Sequence, residues 1–220
     1  MASLPDFLSK VPVGREPLSR EVIESHQRER IIEVAIEVFA KRGYRATTID
    51  HITAAAQIGI GSFYSLFEGK EECFLAAYER IVADAGKAIA EALPEESSWP
   101  ESAAAALRTL LELVASNPHR ARVVLVEAQT AGPAALDAYE RTLDEVVPIL
   151  AEGRKHSRFS DLPSTLEFAT LTGFAWFLQQ RIVLGELEGL TAALPEVLEI
   201  ILTPYLGEDE TATLTAAQTG

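Results

Sequence analysis

Cysteine is all but missing from this chain: 220 residues hold one, Cys73, so no internal disulfide can form. That thiol sits beside Phe74 and Leu75 on an apolar helical pattern, which favours core packing over a reactive sulfur. Long apolar runs are also missing. None reaches the roughly 18 residues of a membrane span, and the first twenty residues, MASLPDFLSKVPVGREPLSR, hold no compact apolar stretch like that of a signal peptide. A cytoplasmic protein with no membrane partner is the expectation. Alternation of apolar and polar residues over strand lengths is absent too, which leaves an all-α fold.

Enzyme signatures are equally sparse. His26, His51, His119 and His156 lie on separate segments without HExxH or Cys/His spacing, and neither G-x-S-x-G nor a complete G-x-G-x-x-G occurs. Nothing assembles a nucleophile, a base or a metal site, so no catalytic residue, metal or cofactor is expected. Positive charge is the last shortage. With 19 Lys and Arg against 33 Asp and Glu the net charge is −14, which opposes general binding to polyanions. The distribution weakens that objection. Residues 1–80 hold 10 basic against 12 acidic side chains, leaving 9 against 21 for the rest. A polyanion is therefore repelled by the second part and approached through the first.

What is present is centred on residues 47–70, TTIDHITAAAQIGIGSFYSLFEGK. Ile49, Ile52 and Ala56 recur at helical spacing after the cap-type Thr47 and Thr48. Gln57-Ile58-Gly59 interrupts the pattern. A second short run begins at Ile60, with Phe63 and Phe67 four apart and turned inward, leaving Ser62, Ser65 and Tyr64 on other faces. Two short helices about a tight turn make a helix-turn-helix outline, whose small polar face fits a major groove. Lys70 follows in the first turn of the next helix, where a cation is disfavoured by the helix dipole although Glu71 and Glu72 suit it. That mismatch implies a role such as meeting a DNA phosphate; a solvated lysine is the plain alternative.

In chain order, residues 1–18 carry Pro5, Pro12, Gly14 and Pro17 without periodicity and read as an arm. Ser19 caps a helix that runs to Arg42, with a stripe of Val22, Ile23, Ile31, Ile32, Val34, Ala35, Val38 and Phe39, and Gly43 ends it. Its cations Arg28, Arg30, Lys41 and Arg42 suit a solvated face, those near the end also a DNA backbone. Residues 19–68 form one unit and 69–206 a second. The second is predicted as a helix to Leu93, a loop through Pro100, and helices over 101–116, 118–131, 133–156, 163–186 and 189–206. Pro100, Pro118, Pro133 and Pro163 stand at helix starts. Residues 207–220 read as a polar tail.

The stretch Gly43 to Tyr78, GYRATTIDHITAAAQIGIGSFYSLFEGKEECFLAAY, preceded by RIIEVAIEVFAKRG, resembles the tetracycline-repressor (TetR) family of bacterial transcriptional regulators. The resemblance covers about the first 80 residues specifically, and beyond them rests on helix number and order. It implies a homodimer whose N-terminal three-helix units bind a palindromic double-stranded DNA operator, and whose C-terminal helices form a small-molecule effector pocket and the dimer interface. Thr48, Tyr64 and Lys70 match family positions that hold DNA phosphates, while Ile60, Gly61, Ser62 and Ser65 occupy the exposed recognition positions. Thr47 and Arg45 join the DNA-binding set, Arg45 as a base, minor-groove, phosphate or solvent residue.

Three positions depart from the family pattern. Gln57 replaces a frequent turn glycine, at about 1 kcal/mol if φ is positive there. Gly59 replaces a Ser or Thr cap, and Leu66 stands where an aromatic is common. Without Arg, Asn or Gln on the exposed recognition face, bidentate purine readout is unavailable there.

In the C-terminal part, polar groups stranded among apolar ones, Glu127, Gln129, Thr130 and Tyr139, together with Trp176, are candidate handles for a mostly apolar effector; bound water or a neighbouring side chain satisfies them equally well. The 163–186 helix is apolar on two faces, which core, pocket or interface explains. Gly173, Phe177, Gln180, Leu184, Leu198 and Leu202 are the candidate dimer residues implied by the family's interface of its last two long helices. An all-α binding protein or enzyme whose helix-turn-helix-like segment does not bind DNA, or a helical adaptor, is the competing reading.

Overall fold

The computed structural model describes residues 20–219, with side-chain burial from 22 to 217, so the N-terminal arm and the Ser19 cap lie outside the described residues. Among these residues every regular element is helical. Helix α1 (Arg20–Arg42) is followed by α2 (Ile49–Ala56), α3 (Ile60–Tyr64) and α4 (Lys70–Ala92). Then come α5 (Trp99–Ser116), α6 (Pro118–Arg122), α7 (Pro133–Ala151), α8 (Leu166–Leu184), α9 (Leu194–Leu206) and α10 (Glu208–Thr219).

Two apolar cores organise these helices. The first joins α1 to α4: Ile31, Ile36, Phe39, Ile52, Phe63, Phe67 and Phe74 are all buried. Phe39, Tyr44 and Phe74 add a cluster of rings with centroids 5.1–5.8 Å apart. Val123, Ala128, Ala135 and Ala138 belong to the same core, so packing runs straight across the boundary expected near residue 68. The second core takes Leu111 of α5, Leu178 and Ile182 of α8, and Leu198, Leu202 and Tyr205 of α9.

Four expectations change. Val22 and Ile23 are exposed, because the buried stripe of α1 begins only at Ile31. The stretch 118–131 is not one α-helix: α6 ends at Arg122, a π-helical turn covers Val123–Glu127, and a 3-10 turn follows over Ala128–Thr130. The helix expected from Pro163 begins at Leu166, and α9 is preceded by a 3-10 turn at Leu190–Ala193. The polar tail is a helix. Gly207 breaks α9, the acids Glu208, Asp209 and Glu210 suit the positive end of a new helix dipole, and Thr211 and Thr215 are buried against the molecule.

Candidate nucleic-acid interface

Helix α2 is capped at both ends. Thr48 is the α2 N-cap: its Oγ1 accepts from the His51 N–H (3.3 Å), and His51 Nδ1 accepts from the Thr48 N–H (3.2 Å). This is a capping box with histidine in the place usual for Glu or Gln. The Thr48 hydroxyl proton stays free to donate outward. Gln57 ends α2 in the left-handed region (φ 54°, ψ 47°), with its N–H bonded to Ala54 O and the Ile58 N–H to Thr53 O. The Arg30 guanidinium covers the remaining end of α2 by donating to Ala56 O at 3.2 Å, so this cation of α1 is not simply solvated.

Helix α3 has five residues and no side-chain cap at Gly59. Phe63 and Phe67 anchor it from below, fully buried, while Ile60 (52% exposed) and Tyr64 (54%) stand outward with Gly61 and Ser62. Ser65 lies just past the helix and turns its hydroxyl back to Ser62 O at 2.9 Å, which leaves it only acceptor lone pairs toward a ligand. Arg45, exposed in the turn before α2, has no partner among the described residues.

Two candidates have inward partners instead. Thr47 is 1% exposed and donates its hydroxyl to Gly43 O (2.8 Å), so it has no surface to offer a duplex. Lys70 does have a role at its disfavoured helix start, but an internal one. Its ammonium donates to Tyr44 O and Thr47 O, both at 2.9 Å, and lies 4.2 Å from the centre of the Tyr44 ring. Two of its three protons thus hold the α1–α2 turn. Burial pushes the Tyr44 hydroxyl pKa up, and Glu71 adds to that shift. Cys73 lies fully buried nearby, its thiol pushed up to about 12 by burial, so it is a packing residue without nucleophilic reach.

The C-terminal candidates do not assemble. Glu127 is buried and bound to the Tyr44 N–H (2.8 Å), Gln129 is exposed and bonded to Leu125 O, and Thr130 donates to Glu127 O. Tyr139 is half-buried against the first core, and Trp176 is 62% exposed. An open cleft of about 580 Å³ lies between the end of α1, the start of α6 and the end of α8, edged by Lys41, Arg42, His119 and Arg122. None of the five effector candidates lines it. Of the dimer candidates, Leu198 and Leu202 are buried at 0% in their own core and cannot face a partner, Phe177 and Gln180 are half-buried, and Gly173 and Leu184 are exposed. The apolar side chains that α8 does expose are Phe168, Trp176, Val183 and Leu184.

Sequence reading missed the ionic seam that docks α6. Arg120 donates to Glu33 of α1 (2.7 Å) and Asp84 of α4 (2.8 Å), His119 lies 2.9 Å from Glu37, and Arg80 bridges Glu29 and Asp84. Burial alone would raise the Asp84 carboxyl, but Arg120 and Arg80 outweigh it and hold it below its ordinary value. An excess of Glu on one face of α1, at 29, 33 and 37, was the only signal. Among the described residues no group of three or more His, Cys, Asp or Glu is placed to hold a metal, and no helix is long and apolar enough to cross a membrane.

Residues 31–77, the span from the start of the α1 stripe to the middle of α4, match a family model described as "Bacterial regulatory proteins, tetR family". The chain is 44% identical over 58 residues to an HTH-type transcriptional regulator of Bacillus subtilis, YerO, covering 26% of this chain and 20% of that protein. It is 34% identical over 73 residues to the HTH-type transcriptional repressor DhaR of Mycobacterium sp., covering 33% of this chain and 37% of the relative. The matched parts span less than half the length of these curated relatives. Among solved structures, the fatty acid degradation regulator FadR of Bacillus halodurans superposes with TM-score 0.70 at 19% identity, over 79% of this chain and 97% of that one. FadR of Bacillus subtilis in complex with stearoyl-CoA gives 0.67 at 18% identity, over 82% and 98%. At such identities the likeness is one of fold.

Proposed function

We propose, from the match of residues 31–77 to the family model of tetR bacterial regulatory proteins, that the chain is a ligand-responsive transcriptional repressor of that family, cytoplasmic, binding a palindromic duplex as a homodimer. One observation carries this reading: the five-residue α3 turns Ile60, Gly61, Ser62 and Tyr64 outward over the buried Phe63 and Phe67. The free Thr48 hydroxyl proton and the unpartnered Arg45 stand at the start of α2 beside it. In this arrangement Tyr64, Thr48 and Arg45 hold phosphates, which sets register, while Ser62 and the Ile60 methyl groups meet base edges. Lys70 acts from inside by fixing the turn that presents Arg45 and Thr48.

The effector is a small, mostly apolar molecule with a polar end, held by the C-terminal helices. The shared fold of a neighbour solved with stearoyl-CoA supports that class. Such a ligand releases DNA only if it prefers the conformation with mis-spaced recognition helices, since equal affinity for both states shifts nothing.

Selection from random duplexes, followed by titration of variants on the selected operator, tests the reading. A palindrome is the expected product. Tyr64→Phe should weaken binding roughly tenfold on every duplex, the value of about 1.5 kcal/mol for one hydrogen bond to a charged phosphate. Ser62→Ala should instead alter base preference. Enrichment of no palindrome would leave a helical binding protein without DNA.

A further inference from the structure

Glu127 is a carboxylate with 6% exposure, contributed by the C-terminal part of the chain and buried against the N-terminal unit. Its Oε2 accepts the Tyr44 N–H at 2.8 Å across 83 residues of sequence. Its Oε1 lies 3.2 Å from Arg122 Nε, an ion pair without the alignment of a hydrogen bond. Gly43, at φ +78°, passes so close that a β-carbon there would sit 3.3 Å from Oε2. Glycine is favoured at this position by its left-handed backbone, and any β-carbon there would also press on the carboxylate above it.

The turn between α1 and α2 is thus gripped from two sides. Glu127 takes the Tyr44 N–H, and Lys70 of α4 takes the Tyr44 and Thr47 carbonyls. Thr47 closes the turn on itself through Gly43 O. Arg45 and Thr48, the side chains aimed outward, are carried by this turn. Glu127 is the last residue of the π-helical turn Val123–Glu127, whose wider winding changes the register of its side chains relative to a regular α-helix. The turn continues α6, which is itself fixed to α1 and α4 through Arg120.

We propose that Glu127 is the positioning residue that ties the C-terminal helices to the α1–α2 turn and thereby sets how α2 and α3 are presented to DNA. The inference rests on the DNA-binding reading above for its second half; its first half stands on the hydrogen bond alone. Any ligand that shifts α6 or the π-turn moves Glu127, and with it the Tyr44 backbone.

The test compares the full-length wild-type protein with Glu127→Ala and Glu127→Gln. Amide hydrogen exchange of the segment 43–48 and affinity for the selected operator are the two readouts. Glu127→Ala leaves Tyr44 N–H without an acceptor: exchange at Tyr44 should rise about tenfold or more and operator affinity should fall about tenfold, with helix content by circular dichroism unchanged. Glu127→Gln keeps an oxygen for the amide and loses only the charge toward Arg122, so both readouts should stay within about threefold of wild type. Unchanged exchange in Glu127→Ala would overturn the tether, and faster exchange with unchanged operator affinity would overturn the positioning role. If Glu127→Gln were as impaired as alanine, the ion pair with Arg122 and not the amide bond would be the link, and the proposal would fall. Should Glu127→Ala fail to fold, Glu127→Met, which keeps the side-chain length but offers the amide no oxygen, takes its place and is read by the same two outcomes. If the wild type selects no duplex, the regulator reading falls, while exchange at Tyr44 still decides the tether.

Discussion

At Gln57 a β-carbon occupies a left-handed conformation, φ 54°, at the end of α2. The bonds around it, Gln57 N–H to Ala54 O and Ile58 N–H to Thr53 O, form the helix-terminating pattern that glycine fills most easily. Gln57→Gly should therefore raise stability by about 0.5–1 kcal/mol, seen as an upward shift of the thermal midpoint by a few degrees. A downward shift would mean that the glutamine side chain makes a contact worth more than the strain. This position was legible as a departure from a familiar turn, since backbone geometry follows from the punctuation of the two helices. Lys70 was legible as an anomaly but not in its partners, which are carbonyls 23 and 26 residues earlier. Thr47 and Thr48 look alike in sequence. Only the chain direction on leaving α1 puts one hydroxyl inside and makes the other a cap. Glu127 stood out as a polar group among valines, yet an effector and a backbone amide satisfy a carboxylate equally well, and sequence carries no preference between them.

Between elements, the loop joining α7 to α8 is closed by an ion pair of the half-buried Arg154 with the buried Glu167. Arg154 donates to both Glu167 oxygens (2.7 and 2.8 Å), and the Tyr205 hydroxyl of α9 donates to the same carboxylate (3.0 Å). The Arg154 guanidinium holds the Glu167 carboxyl below its ordinary value; burial opposes this and Tyr205 supports it. A carboxylate depressed on folding stabilises the protein fully above its unfolded pKa, roughly 4.3, and that contribution is lost as pH falls through the lower folded value. Thermal midpoints measured from pH 7 down to pH 3 should therefore fall more steeply for wild type than for Glu167→Gln. The variant should start lower at pH 7, because Arg154 loses its counter-charge. Parallel curves would remove Glu167 from the acid response. Neither α10 nor the π-turn could be anticipated at this scale. Threonine and alanine give α10 little contrast between its faces, and a single wide turn barely disturbs a 3.6-residue pattern.

For the whole molecule, the outward face of α8 carries a row of apolar side chains that a second copy of the chain would cover. Phe168, Trp176, Val183 and Leu184 are each more than half exposed, more than solvent contact alone favours along one helix. Light scattering should give a particle near twice 23.9 kDa, and Trp176→Glu should shift it toward the monomer. A wild-type monomer at micromolar concentration would exclude the interface. The cations of residues 22–80 have a related bearing on how the proposed dimer would find an operator. Arg28, Arg30, Lys41, Lys70 and Arg80 are each engaged by a ring, a carbonyl or a carboxylate of the protein itself. Among the described residues of that span, Arg42 and Arg45 alone lack such a partner. In the proposed regulator few counterions would be displaced by so few cations, so random DNA would hold it only briefly. Its search for an operator would then proceed by frequent release and recapture from solution, with little one-dimensional sliding, and the time to reach a site would depend more on protein copy number than on the length of flanking DNA.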